Sequence, residues 1–445
     1  MNLSSLTAVA LLIFTGHCAL ASSSDKIFSS GSDISSFERV FNDSTLRLDY
    51  SIAGNASSAR VALTRMSKSE GWAGRRQNLA KAPYRGYGSV VVVDKESADT
   101  IYSHSFSTLF SEWRTTDEAR EVERAFQNSF LVPLPKKEAV VTVSILDSYG
   151  HPIASLSHPY SPADILVRRI TPSRTTPFKY IHQGGRPEEA IDVAILAEGY
   201  TLEEMDKFYS HAEEAAKAIL AHRPFAGRSS DFNFIAVASP SLDSGVSVPK
   251  DDAWRKTAFG SHYSTFYSDR YLTTPEVYDV HDALEGIPYE HIIILANSPV
   301  YGGGGIYNSY TLTTTGNENF RPVVVHEFGH SFGGLADEYF YETDVMNDTY
   351  PADSEPWEPN ITTLVDFSGK WGHLLDEAIP IPTPISEVNK YPLGVFEGAA
   401  YSFKGVYRPA DDCRMRTNTC PDFCPACEDA INRLIDFYTG NTDAE

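Results

Sequence analysis

Residues 321–339 read RPVVVHEFGHSFGGLADEY, and the rest of the chain is organised around this stretch. Pro322 suits the first position of a helix and Gly333-Gly334 suits its end, so the spacing predicts a helix from Pro322 to the paired glycines. His326 and His330 are four residues apart and share one helical face, where their imidazoles can converge on one ion. Glu327 follows the first histidine by about 100° round the helix, within reach of a metal-bound water. Zinc lowers the pKa of such a water to about 7, and a carboxylate then takes its proton as it attacks a carbonyl. The plain alternative is an amphipathic helix with two incidental histidines. A well-delimited helix, preceded by an apolar strand and a Gly-rich segment, favours the metal.

Catalytic zinc sites use three protein ligands and leave a fourth position open. The double glycine lets the chain turn back and brings Asp337 towards the ion, and both Asp337 and its neighbour Glu338 can supply oxygen. Upstream, residues 301–307 read YGGGGIY. Four glycines in a row permit close approaches that side chains forbid. They read either as a flexible loop or as a bulged edge strand whose rim, at Gly303, Gly304 and Tyr307, pairs with an extended polypeptide substrate. Tyr307 and Tyr310 are candidate donors to a tetrahedral oxyanion. Downstream, Cys413, Cys420, Cys424 and Cys427 crowd together. They suit two disulfides, or a structural zinc held by four thiolates. Export favours disulfides, and the three pairings are indistinguishable. Either arrangement would brace the turn carrying Met415 against a final helix over residues 425–438.

Further out, the periodicity changes along the chain. Residues 37–172 are mostly strand-like, with β-branched runs at 90–93 and 140–146 and a helical piece expected around 116–130, and they read as a β-sandwich-like domain. Residues 173–189 are polar and rich in Pro and Gly, as in a linker. From 190 to 445, strands at 191–197, 232–238 and 291–296 alternate with helices. One helix opens at Thr201 with the capping box Thr201/Glu204, and another begins at Pro275. The expected class is α+β, an N-terminal sandwich followed by an α/β domain that carries the active-site helix.

Bulk properties agree with this division. A chain of 445 residues suggests two or three domains, and its 42% hydrophobic content supports packed cores. A formal charge of −22 argues against a nucleic-acid backbone as partner. Residues 1–21 combine an apolar run over 6–14 with Ala19-Leu20-Ala21, the layout of a secretory signal peptide, although no Lys or Arg precedes the run. That run is too short to span a bilayer, and no later segment is apolar enough. A Ser-rich segment (22–36) follows. The expected location is therefore extracellular, with Cys18 removed alongside the signal. Sequons at Asn42, Asn55, Asn347 and Asn360 are usable only in a host that glycosylates. Oligomeric state has no sequence signal.

Taken together, residues 191–201 (IDVAILAEGYT), 301–310 (YGGGGIYNSY), 326–339 (HEFGHSFGGLADEY) and 413–427 resemble, in the same order, the IgA-peptidase (igalysin-like) family of secreted metallopeptidases, placed among the metzincins. The resemblance implies peptide-bond hydrolysis, with His326 and His330 as Zn2+ ligands and Glu327 as general base. It also favours Asp337 as third ligand, one residue later than usual in metzincins, with Glu338 in a supporting role. Met415 would be the methionine of the Met-turn beneath the zinc. Cleavage of IgA is not implied. Two other functions compete: a zinc amidase acting on cell-wall or modified peptides, and an extracellular binding protein with a structural metal. Intact Glu327 speaks against the latter, since a structural site needs no base.

Overall fold

Alternation of buried and partly exposed residues, clearest in Gly88–Asp94 and Ala139–Leu146, lets strands in the first third of the chain turn one face to a core. The structure, a computed structural model, describes residues 34–171, 175–341 and 350–440. The expected signal peptide, Cys18, most of the Ser-rich segment and Asn347 lie outside the described residues. One four-stranded sheet places Phe41–Gly54 between Arg124–Pro135 and Ala59–Glu70, with the short Arg168–Arg169 at its edge. The other has the order Thr100–Phe106, Gly88–Asp94, Ala139–Leu146 and Pro152–Tyr160. Leu46, Leu48, Tyr50 and Ile52 from the first sheet share a core with Val90, Val92, Val141 and Val143 from the second.

The helix expected around 116–130 is largely a strand. Only Glu118–Glu121 is helical there, and Arg124–Pro135 pairs along most of Phe41–Gly54. Asn128, Phe130 and Val132 are buried at intervals of two, a strand period that outweighs the helix-forming residues just before it.

The second half is built on a six-stranded mixed sheet. Its order is Gly303–Ile306, Tyr310–Thr314, His291–Ala296, Ile191–Glu198, Phe232–Val237 and Phe178–Gln183. The four inner strands are parallel and the two edge strands antiparallel. Residues 178–183, inside the segment expected as a linker, thus pair with Phe232–Val237 as a sheet edge. Polar residues are tolerated there because an edge strand is only half covered.

Ile191–Glu198, Phe232–Val237 and His291–Ala296 are buried at every position, as expected of strands covered on both faces. Val193, Ile195 and Ala197 face one core, beside Phe208 of the helix Met205–Ala221, Phe328 of Phe320–Ser331 and Ile431 of Pro425–Thr439. Ala194 and Leu196 face the other, beside Val280 of Val277–Ala283. Each fully buried Val, Leu or Phe contributes about 1.5–3 kcal/mol. The capping box at Thr201/Glu204 is present, opening a 3-10 turn that leads into Met205–Ala221. Among the described residues, no helix is long and apolar enough to cross a membrane.

The two halves meet directly. Arg47 of the first sheet bonds Asp282 and the carbonyl of Tyr278, and the Arg75 amide donates to Glu290.

Candidate active site

The helix Phe320–Ser331 starts two residues before Pro322, which occupies its third position. Pro is still acceptable there, because the first-turn N–H groups lack intrahelical partners. At the other end Gly334 takes φ +62° and its amide donates to His330, while the Leu335 amide donates to Gly329. A residue with a Cβ would be strained in that conformation, so glycine sets the reversal that sends residues 335–338 back beneath the helix.

Three acceptor atoms converge as a result. His326 Nε2 and His330 Nε2 are 3.1 Å apart, and Asp337 Oδ1 lies 3.1 Å from the first and 3.3 Å from the second. Carbonyl oxygens fix the outer ring nitrogens: His326 Nδ1 is 2.9 Å from Arg414 O and His330 Nδ1 is 2.6 Å from Leu335 O. An Nδ1–H donating to each carbonyl leaves the Nε2 lone pairs facing inward. Asp337 Oδ1 is buried and makes no hydrogen bond. Three electron-rich atoms this close repel unless a cation or protons lie between them. Metal bonds of about 2.0–2.1 Å in a tetrahedral shell have edges of about 3.3 Å, so the residues present fit a zinc-sized ion.

The electrostatics follow the same geometry. Burial disfavours a charged imidazole, but Asp337 more than offsets it and holds His330 up at about 9. Burial likewise opposes the Asp337 carboxylate, yet the two imidazoles hold it well below the ordinary range. Burial raises Glu327 above its usual value against the pull of both histidines. Asp337 Oδ2 accepts a hydrogen bond from the Tyr401 hydroxyl, and Tyr401 is in turn reached by the Tyr339 hydroxyl at 3.2 Å. Tyr401 had no sequence signal, since it lies 64 residues beyond Asp337 in an ordinary Ala-Tyr-Ser context.

Glu338 points elsewhere. It is fully buried and faces Cys413, Cys424 and Cys427 rather than the histidines. Met415 is also fully buried, and its sulfur sits under Gly329, where an added Cβ would come within 2.7 Å. Its carbonyl accepts the Glu338 amide at 2.9 Å. The four cysteines are free thiols, so the expected disulfides are absent among the described residues. Cys413 and Cys427 approach to 3.8 Å, far beyond a disulfide bond of about 2.05 Å. Cys420 stands apart, only partly buried, with its thiol on Asp422 O. The sequon residue Asn360 is fully buried, and its side-chain amide is bonded to Ala336 O and Glu338, so it offers no glycan acceptor.

Gly303–Ile306 is an edge strand, as one reading of the glycine run expected. A Cβ on Gly303 would lie 2.8 Å from Glu327 Oε1, one on Gly305 2.3 Å from Glu327 O, and one on Gly304 2.7 Å from the Tyr271 ring. The strand therefore packs backbone-first against the helix. The hydroxyls of the two candidate tyrosines have neighbours of their own, and Tyr307 lines the cleft. Tyr310 is buried under the sheet beside Thr274, and the Tyr307 hydroxyl faces Ser105 at 3.5 Å while its ring packs on Trp357.

A cleft of about 1060 Å³ opens over His326, Glu327, His330 and Asp337, with Gly303–Ile306 along one side. The first half of the chain supplies another wall through Ser111, Glu112 and Asp147. Glu112 accepts a hydrogen bond from Tyr271, and burial, opposed by that bond, pushes it up to about 7.

Comparison with known families agrees with this geometry. A family model described as IgA Peptidase M64 matches residues 180–392 and 389–435, and one described as Peptidase M64 N-terminus matches residues 36–157. No curated protein matches the chain.

Proposed function

The chain belongs to the IgA peptidase M64 family, and from that premise we propose that it is a secreted zinc endopeptidase acting on extended polypeptide. Membership makes it a peptidase of a metallopeptidase family. The finer reading assigns His326, His330 and Asp337 as zinc ligands and Glu327 as general base, and the convergence of three acceptor atoms within 3.1–3.3 Å carries it.

Zinc, when bound, supplies Lewis acidity that brings a water's pKa to about 7 and polarises the scissile carbonyl. The remaining work belongs to the chain. Glu327 lies next to the first histidine with its carboxylate against Gly303, and its raised pKa suits a group that takes the water's proton and later returns it to the leaving amine. Arg414 O and Leu335 O hold the imidazoles in the tautomer that presents Nε2, and Tyr401 holds Asp337 through its second oxygen. Gly303–Ile306 offers an edge along which an extended peptide can add as a further strand. Met415, buried under Gly329, takes the place of a Met-turn residue. The division into a sandwich domain (37–172) and a catalytic domain (190–445) belongs to the same reading, as does export directed by residues 1–21.

The test pairs metal analysis with a peptide-library digest. Glu327→Ala should keep the wild-type metal content and lose hydrolysis by roughly a hundred- to ten-thousand-fold. Full activity in that variant would overturn the mechanism. Turnover of modified or cell-wall peptides alone, with no cleavage of plain ones, would replace the endopeptidase with an amidase.

A further inference from the structure

We propose that Cys413, Cys424, Cys427 and Glu338 form a second, structural metal site that takes a thiophilic divalent cation such as zinc. Their ligand atoms all lie within 4.8 Å of one another, and all four residues are buried. The 3.8 Å between Cys413 Sγ and Cys427 Sγ matches the edge of about 3.8 Å expected for two zinc–sulfur bonds of about 2.3 Å at the tetrahedral angle. Glu338 Oε1 is 3.1 Å from Cys427 Sγ. The Cys424 amide donates to Cys413 Sγ at 3.2 Å, a bond that a thiolate accepts better than a thiol.

Without an ion, the same groups are three buried thiols around a buried carboxyl. Asn360 and Cys427 satisfy Glu338 Oε1, but Glu338 Oε2 has no hydrogen-bond partner. A buried oxygen left unpaired in this way needs an explanation, and a cation in the cluster provides one. Soft thiolates select zinc among the common divalent ions. Four protein ligands close the coordination shell, which makes the site structural rather than catalytic. Cys424-Pro425-Ala426-Cys427 at a helix start also has the spacing of a dithiol redox motif. Its sulfurs are too buried for exchange, with Cys424 at 4% and Cys427 at 0% exposure. Compared with the four-thiolate alternative, Cys420 leaves the site and Glu338 enters it.

The placement suggests what the ion does. Cys413 begins the turn whose Arg414 O holds His326 and whose Met415 O accepts the Glu338 amide. Cys424 and Cys427 belong to the start of the last helix, and Glu338 is covalently next to Asp337. One ion would therefore clamp three separate segments under the histidine site.

The inference does not depend on the histidines binding zinc, and the test keeps the two apart. Full-length mature protein should carry about two zinc ions per chain, and the double variant His326→Ala/His330→Ala about one. Cobalt(II) loaded into that double variant should give a thiolate-to-metal charge-transfer band in the near ultraviolet, and adding Cys413→Ser should remove it. Because Cys413→Ser is buried and risks misfolding, the double variant is also chelated, denatured without reductant and alkylated. All four thiols of the mature chain should then react. The site is overturned if the double variant holds no zinc and gives no cobalt–thiolate band, or if mass analysis finds these cysteines in disulfides.

Discussion

At the scale of single residues, the neighbours Asp337 and Glu338 have opposite fates although either could supply oxygen to an ion. The turn at Gly334 aims Asp337 Oδ1 at both imidazoles, and the next side chain, on the opposite face of an extended segment, enters the cysteine cluster. Tyr401 is the residue whose importance only the folded chain reveals. Its hydroxyl fixes the second oxygen of Asp337. Tyr401→Phe should weaken metal retention at the histidine site by about 10–100-fold, read by competition with a chelator of known affinity. Unchanged retention would show that the bond does not orient the carboxylate.

At the scale of elements, the pairing of strand Gly303–Ile306 with helix Phe320–Ser331 sets the geometry of the cleft. Thr311 on the adjoining strand bonds Glu327 O at 3.1 Å and Ser331 at 2.6 Å, so the helix is tied to the sheet at two points. The glycines allow this approach. Gly305→Ala would set a methyl 2.3 Å from Glu327 O and 2.8 Å from His330 Cβ, both on the helix. It should cost about 1–3 kcal/mol in stability and lower kcat/KM together with it. Gly227, which has nothing within 4 Å of an added Cβ, is the control, and Gly227→Ala should leave melting temperature and activity unchanged. Equal behaviour of the two variants would rule out the close packing.

At the scale of the molecule, the cleft belongs to both halves, since Glu112 from the first and Tyr271 from the second are hydrogen-bonded across it. Stability is also a property of the whole, and one buried group ties it to pH. Asp192, at the foot of the central strand, is fully buried, bonds Asn233 at 2.8 Å, and leaves its other oxygen unpaired. Burial, opposed by the Asn233 bond, pushes it up to about 7. An unfolded Asp titrates near 4, so between about pH 4 and pH 7 the folded chain holds a proton that the unfolded chain has lost. Stability therefore falls as pH rises through that window, by an amount on the order of a few kcal/mol for this group. Asp192→Asn should match the wild type at pH 4 and exceed it at pH 8 in denaturant unfolding. A gap that does not widen with pH would assign the dependence to other groups.

Much of this was legible in the linear chain because it depends on local spacing. Two histidines four apart share a helical face wherever that helix lies, and the mostly apolar runs at 191–198 and 291–296 form strands buried on both sides. The capping box and the last helix follow from equally local signals. The helix expected around 116–130 failed for the converse reason: a strand's identity there is decided by its pairing with residues some eighty positions earlier. The family resemblance already favours Asp337 over Glu338, and the structure sets Asp337 beside both imidazoles; tertiary structure alone brought Tyr401 onto the carboxylate, separated Cys420 from the other cysteines and buried Asn360. Those choices rest on contacts between residues far apart in sequence, whose meeting depends on how whole elements pack.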